Sequence, residues 1–251
     1  MSAPDEIDSE TVRRIRTFTH RDVRAWEQIA DGIRIGAALA ADYGRMSAGF
    51  TWMSTGARAP LAAPYEEVWI LAAGTMRFDS ADGIAVARPG DLIHLHPASR
   101  GEFRVAEDLT MLALAYPPLW DIELGTWELA RAQSVAGPFA RVLSVRHGAH
   151  PRHTTDGLFT TTEEGQHFGM GFGRPAARGA DDEFDIANDQ VLVATRGRFR
   201  IRGAGPDGGT STVEHGEFAY LPAGSRGTLS AEPGSAIAWA HLRRPARTGQ
   251  R

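Results

Sequence analysis

Two stretches of the chain, Pro89–Phe103 (PGDLIHLHPASRGEF) and His215–Leu229 (HGEFAYLPAGSRGTL), are versions of one pattern. Gly90 corresponds to Gly216 and Ser99-Arg100-Gly101 to Ser225-Arg226-Gly227, both at an offset of 126 residues. Upstream, Gly74 after WILAA matches Gly197 after LVATR at an offset of 123, and Gly49-Phe50 matches Gly171-Phe172. LALAY and IAWAH, late in each copy, also fall in step. Landmarks that keep their order and drift by only a few residues indicate one fold used twice, with small loop changes.

Around these landmarks, runs of four to eight residues rich in Val, Ile, Phe and Trp alternate with Gly, Pro, Asp and Ser. Examples are GFTWMST, EVWILAAG, DLIHLH and LTMLALAYPP. That is the signature of an all-β sandwich or barrel. Helical expectations are confined to the flanks: a short helix in TVRRIR, a second from Thr19 with Asp22 serving its first turn, and the helix-compatible WDIELGTWELARAQS. HGAHPRHTTDG reads as a loop. The division expected is a tail and helical segment over 1–40, one barrel over 41–118, a helical and loop linker over 119–160, a second barrel over 161–245, and a frayed tail over 246–251.

Composition narrows the chemistry. The 251 residues are 42% hydrophobic, enough to bury a sizeable core without staples. There is no cysteine, which excludes disulfides, thiolate nucleophiles and Cys-ligated metals. All 27 basic residues are arginine, which excludes Schiff-base lysines and a P-loop lysine. A net charge of −4 with interspersed signs argues against nucleic-acid binding. No apolar run approaches the ~20 residues of a membrane span. The acidic start MSAPDEIDSE is unlike a secretory signal, so a cytoplasmic protein with no membrane partner is expected.

YEEVWILAAG followed by ARPGDLIHLHPASRGEF resembles the two cupin signature motifs, and DQVLVATRG followed by HGEFAYLPAGSRG resembles them again. The chain is thus similar to bicupins, which implies two tandem jelly-roll β-barrels. The first half, with THRDVRAWEQIADGIRIG and MSAGF, is most similar to EutQ-type ethanolamine-utilisation cupins. The resemblance also implies a homodimer. Metal-dependent cupins use H-x-H, a glutamate and a further histidine as ligands. In the first copy Glu67 matches the glutamate, but the histidine positions fall on Leu61 and Ala63 (or Pro60 and Ala62) and on Gly101. In the second the glutamate position is Gln190, and the histidine positions fall on Phe184/Ile186 or Glu183/Asp185 and on Gly227. Neither copy retains the ligand set, so no metal or other cofactor is expected.

Strand alternation puts Tyr65, Trp69 and Leu71 on the face of Glu67. If that face is inward, a carboxyl among apolar rings has a raised pKa and suits acid/base chemistry, with Tyr65 or His96 as partners. The alternative is a remnant carboxylate paired to Arg58 or Arg100. Trp52, Trp69, His94 and Arg100 are candidate substrate-binding residues; Gln190, Tyr220 and Arg226 mark a possible second-barrel pocket. His94 and His96 either face solvent or a subunit contact, or enter the pocket. Arg100 and Arg226 either clamp an anion or hold their turns. His147, His150 and His153, or the acids of DDEFD, would serve a non-standard metal site. The function expected is metal-independent isomerase, cyclase or lyase chemistry on a small polar metabolite in the first barrel. The alternatives are a non-catalytic ligand-binding or assembly module and an enzyme with a non-standard metal site.

Overall fold

Strands form where β-branched and aromatic residues cluster, and turns form at the Gly, Pro and Asp punctuation. The computed structural model describes residues 14–39, 45–61, 65–80, 83–97, 99–119, 140–144, 159–165, 167–173, 181–204 and 209–243. The first barrel comprises β2 (Glu27–Ala30), β3 (Ile33–Leu39), β4 (Ser47–Met53), β5 (Arg58–Leu61), β6 (Glu66–Ser80), β7 (Gly83–Ala87), β8 (Leu92–Leu95) and β9 (Gly101–Tyr116), preceded in the chain by β1 (Arg16–Phe18). The second comprises β11 (Phe159–Glu164), β12 (Phe168–Gly173), β13 (Asp182–Asp185), β14 (Gln190–Arg196), β15 (Phe199–Gly203), β16 (Thr210–Val213), β17 (Phe218–Leu221), β18 (Arg226–Ala231) and β19 (Ala236–Leu242), preceded by β10 (Arg141–Leu143). This is the all-β, two-barrel architecture expected from the repeat.

The N-terminal helices are not found among the described residues. Arg16–Phe18, the described end of TVRRIR and its continuation, is strand. The helix expected from Thr19 is one 3-10 turn, His20–Asp22, closed by the foreseen capping box: Arg21 N donates to Thr19 Oγ1 (3.1 Å) and Thr19 N donates to Asp22 (2.6 Å). Residues 27–30 and 33–39 of the expected helical segment are β2 and β3, joined by a turn. The helix-compatible stretch after Leu119 and the histidine-rich loop lie outside the described residues. No helix among the described residues is long and apolar enough to cross a membrane.

The short leading strands are exchanged between the barrels. β1 pairs antiparallel with β17 of the second barrel, Phe18 opposite Phe218, while β10 pairs with β8 of the first, Leu143 opposite Leu92. At the repeat offset these are the same pairing, because Leu92 corresponds to Phe218 and His94 to Tyr220. Each barrel thus covers an otherwise open sheet edge with chain from its partner.

Three cores result. Ile33, Met53, Trp69, Leu71, Ile93 and Met111 belong to the core inside the first barrel. Leu192, Ala194, Phe199, Leu229 and Trp239 belong to that inside the second. The third lies between the barrels, where Val68, Ile70, Leu112 and Leu114 meet Val191, Val193, Phe218 and Ala238. β6 and β14 are therefore covered on both faces, which is why EVWILAA and QVLVA are apolar almost throughout.

Candidate active site

A cavity of about 640 Å³ opens inside the first barrel. Register explains the space. Ala37 lies opposite Gly49, Gly49 opposite Ala113, and Ala113 opposite Trp69, so three small residues stand in a row across the sheet. Ala115, opposite Glu67, adds a fourth small side chain to the wall. In the second barrel, Gly171 pairs with Trp239, and Gln190 with His241. Structurally, then, Ala113 corresponds to Trp239 and Ala115 to His241, at the common offset of 126 and one residue from the LALAY/IAWAH alignment. The Trp239 and His241 rings stack 5.4 Å apart where the first barrel has two methyl groups.

Tyr65, Glu67, His96 and Ser99 gather on the cavity wall, while Ile33, Ile35, Met53 and Met111 line its body. Tyr65, Glu67 and Trp69 share the inward face of β6 and its approach, as alternation requires. His96 arrives differently: β8 ends at Leu95, and the following turn, closed by His96 N donating to Ser99 Oγ (3.0 Å), carries His96 to the cavity wall. Loss of hydration pushes the Glu67 carboxyl up to about 8, and only the Trp69 indole N–H draws it back. That contact is too poorly formed to count as a hydrogen bond, and the Trp69 nitrogen has no other partner among the described residues. No arginine lines the cavity among the described residues. Burial, and then the Glu67 charge, push the Tyr65 phenol up, so it stays a neutral hydroxyl at working pH, able to donate its proton in a hydrogen bond and to accept one.

Several sequence candidates are placed elsewhere. Trp52 is on the opposite face of β4 from Thr51 and Met53, beneath Arg34, whose guanidinium lies 4.4 Å from its ring; it does not line the cavity. Arg100 holds its own turn through Pro97 O (3.0 Å) and Ser99 O (2.8 Å), and Arg58 is exposed, so neither is the expected partner of Glu67. Arg226 is exposed and paired to Asp185 at 2.9 Å, not in a second-barrel pocket. Tyr220 faces the inter-barrel core. Gln190 does point into the second barrel, where its buried amide nitrogen has no hydrogen-bond partner among the described residues.

His94 leads to a cluster that alternation on its own did not single out. Glu66 is fully buried between the barrels: Oε1 meets His94 Nε2 at 2.8 Å, while Oε2 accepts from His167 N (2.7 Å) and lies 3.1 Å from His167 Nδ1. Burial alone would raise this carboxyl, but those hydrogen bonds and the two imidazoles hold it below its usual value. The repeat places Asp189, Tyr220 and Arg45 at the corresponding positions, with Arg45 Nε 3.5 Å from Asp189. In each case an acid of one barrel grips the strand entry of the other. Three groups converge here, so His94 is neither a solvent-facing nor a substrate-binding histidine.

The described residues do not fit a cupin metal. Leu61 is buried in the first barrel's core, and Phe184 and Ile186 in that of the second. A Cβ at Gly227 would stand 2.1 Å from Arg202 O, leaving no room for a ligand side chain. No three His, Asp or Glu side chains among the described residues are arranged to hold a metal ion. A single carboxylate of the motif remains in the first barrel and a carboxamide in the second, which is too few donors.

Comparison with solved structures identifies the class: this is the cupin fold, used twice. Protein Ylba from E. coli superposes with a TM-score of 0.65 at 10% identity, over 94% of each chain. Lactobacillus farciminis oxalate decarboxylase, solved as a formate complex, gives 0.61 at 11% identity over 92% of this chain and 86% of its own. AerE from Microcystis aeruginosa gives 0.60 at 11% identity over 89% and 98%. At such identities the likeness is one of fold alone. No family model and no curated protein sequence matches the chain.

Proposed function

We propose that the first barrel is a metal-independent acid/base site in which Glu67 moves the proton and Tyr65 and His96 assist, carrying out isomerase, cyclase or lyase chemistry. The likeness of the first half to EutQ-type cupins belongs to this reading as a proposal about descent. The observation that supports it is a carboxyl on a cavity wall, raised to about 8, with no arginine beside it among the described lining residues. A structural remnant would be expected to keep a neutralising partner. At neutral pH such a group is mostly protonated and serves as acid; above about 8 it is a base with little hydration to shed.

A generic carbon acid tests this without knowledge of the natural substrate. 5-Nitrobenzisoxazole is neutral and apolar; when a base takes its ring C–H proton, the N–O bond breaks and 2-cyano-4-nitrophenolate appears. The protein should accelerate the reaction with a rate that climbs with pH and levels above about 8. Glu67→Gln should reduce it about a hundredfold. Rates equal in parent and variant would leave only a binding module, the reading that the cavity supports without its carboxyl.

Stability supplies a second readout. The folded-state value of Glu67 lies above the unfolded one, so folding disfavours the charged form. The penalty is absent well below pH 4.5, grows as pH rises, and is complete above about 8. Glu67→Gln should therefore match the parent in acid and exceed it by about 2–3 kcal/mol near pH 9, a figure reduced for solvent in the open cavity. Urea midpoints at the two pH values measure the difference.

A further inference from the structure

We infer that the first-barrel cavity takes a neutral, largely hydrocarbon molecule with one polar end, a hydroxyl or carbonyl, seated at Glu67, Tyr65 and His96. This rests on the acid/base reading of the same site and names its substrate class, replacing the small polar metabolite expected from sequence.

Three observations carry it. The first is the distribution of polarity along the barrel. Glu67 lies level with Ala115 and Leu95; the next rows along β6 are Trp69 with Ala113, then Leu71 with Met111, and beyond them Met53 lies opposite Ile33. The ligand's body therefore meets mostly aliphatic, methyl and aromatic surface, interrupted in the Leu71–Met111 row by Thr51 and, at the exposed edge, Glu27, and this favours hydrocarbon by its area. The second is charge. Glu27 and Glu67 are the only carboxylates among the described lining residues, and no arginine stands there to receive an anion. A carboxylated or phosphorylated molecule would be stripped of water beside a carboxyl and would find hydrogen-bond donors in Tyr65, His96 and Ser99 but no arginine to offset its charge. The third is the repeat itself. The same strands in the second barrel fill their interior with Trp239 and His241, so the hollow at Ala113 and Ala115 is a property of these side chains and not of the fold. The volume, about 640 Å³, is in the range of pockets that enclose a drug-sized molecule.

A matched pair of fluorescent probes tests the assignment. N-Phenyl-1-naphthylamine is neutral; 8-anilino-1-naphthalenesulfonate has the same rings and a sulfonate. The neutral probe should bind with enhanced emission, and the sulfonate about tenfold more weakly, with the gap widening as pH passes through about 8 and Glu67 ionises. Glu67→Gln should keep the neutral probe and narrow the gap. Ala113→Trp, which copies the second barrel, should abolish binding of the neutral probe, and Ala115→Leu is the milder filling variant should the first not fold. Tighter or equal binding of the sulfonate overturns the assignment, as does neutral-probe binding indifferent to both filling variants. Neither probe turns over, so this outcome is independent of the benzisoxazole result. Binding without elimination removes the catalytic reading and keeps the ligand class; elimination without neutral-probe binding does the reverse.

Discussion

Glu66→Ala should cost about 3–5 kcal/mol of folding stability, the range for removing a buried, hydrogen-bonded carboxylate from its partners. The substitution leaves His94 Nε2 and the His167 backbone N–H facing an emptied, buried site where the carboxylate held both. Because His167 enters the second barrel and Glu66 belongs to the first, the loss should fall on the contact between barrels. Urea unfolding, followed separately by far-ultraviolet circular dichroism and tryptophan fluorescence, should show an earlier transition. Gly165→Ala should act on the same contact, since its Cβ would stand 1.8 Å from Glu66 Oε1. Asp189→Ala, at the corresponding site, should cost less because its Arg45 partner is 54% exposed. The pH dependence has the opposite sign to that of Glu67. The folded-state value of Glu66 is depressed, so its contribution is complete above the ordinary carboxylate range and is lost as pH falls through the folded value. Parent and Glu66→Ala should therefore converge in acid. A parent-like midpoint for the variant at neutral pH would show that the cluster does not hold the barrels together.

Trp239→Ala should cost a similar amount, about 3–5 kcal/mol, by emptying the second barrel. The ring is 1% exposed, stacks on His241 and lies opposite Gly171, whose missing side chain leaves nothing to collapse into the void. The variant should gain a cavity like that of the first barrel and with it affinity for N-phenyl-1-naphthylamine. Calorimetry and probe titration check the two parts. A loss below about 1 kcal/mol would mean that neighbouring side chains relax into the space. The reciprocal change, Ala113→Trp, adds a large side chain where Gly49 again stands opposite, so its cost in stability should be much smaller than its cost in ligand binding.

How far the site was legible depended on the strand concerned. On β6, alternation from Glu67 named Tyr65, Trp69 and Leu71 as its neighbours, and the structure places all four in or around the same interior. On β4 the same rule leaves Trp52 as a candidate wall, and the structure puts it on the other face. Phe50 and Trp52 share one apolar face and Thr51 and Met53 the other, and both faces are covered, so hydrophobicity did not distinguish inside from outside. On β8, period two put His94 and His96 together; the strand ends between them, and a turn separates what alternation joined. The Glu66 cluster had one signal in the chain, the adjacent pair Glu66-Glu67, because neighbouring residues on a strand face opposite ways. One of its two histidine partners, His167, lies 101 residues away across the barrel contact, a distance that no local pattern spans.

What the sequence determined by itself is the doubled all-β fold, through repeated turns and two-residue periodicity, and the absence of histidine at the positions where the cupin motifs carry it, which is a matter of residue identity alone. Only the tertiary structure decided which side of each strand is interior, that a strand leading each barrel belongs to the other, and that the first barrel has a cavity at Ala113 and Ala115 where the second places the stacked rings of Trp239 and His241. The physical reason is that alternation sorts side chains onto two faces without saying what each face will meet. On β6 and β14 both faces meet protein, so the assignment waits on how the second barrel packs against the first.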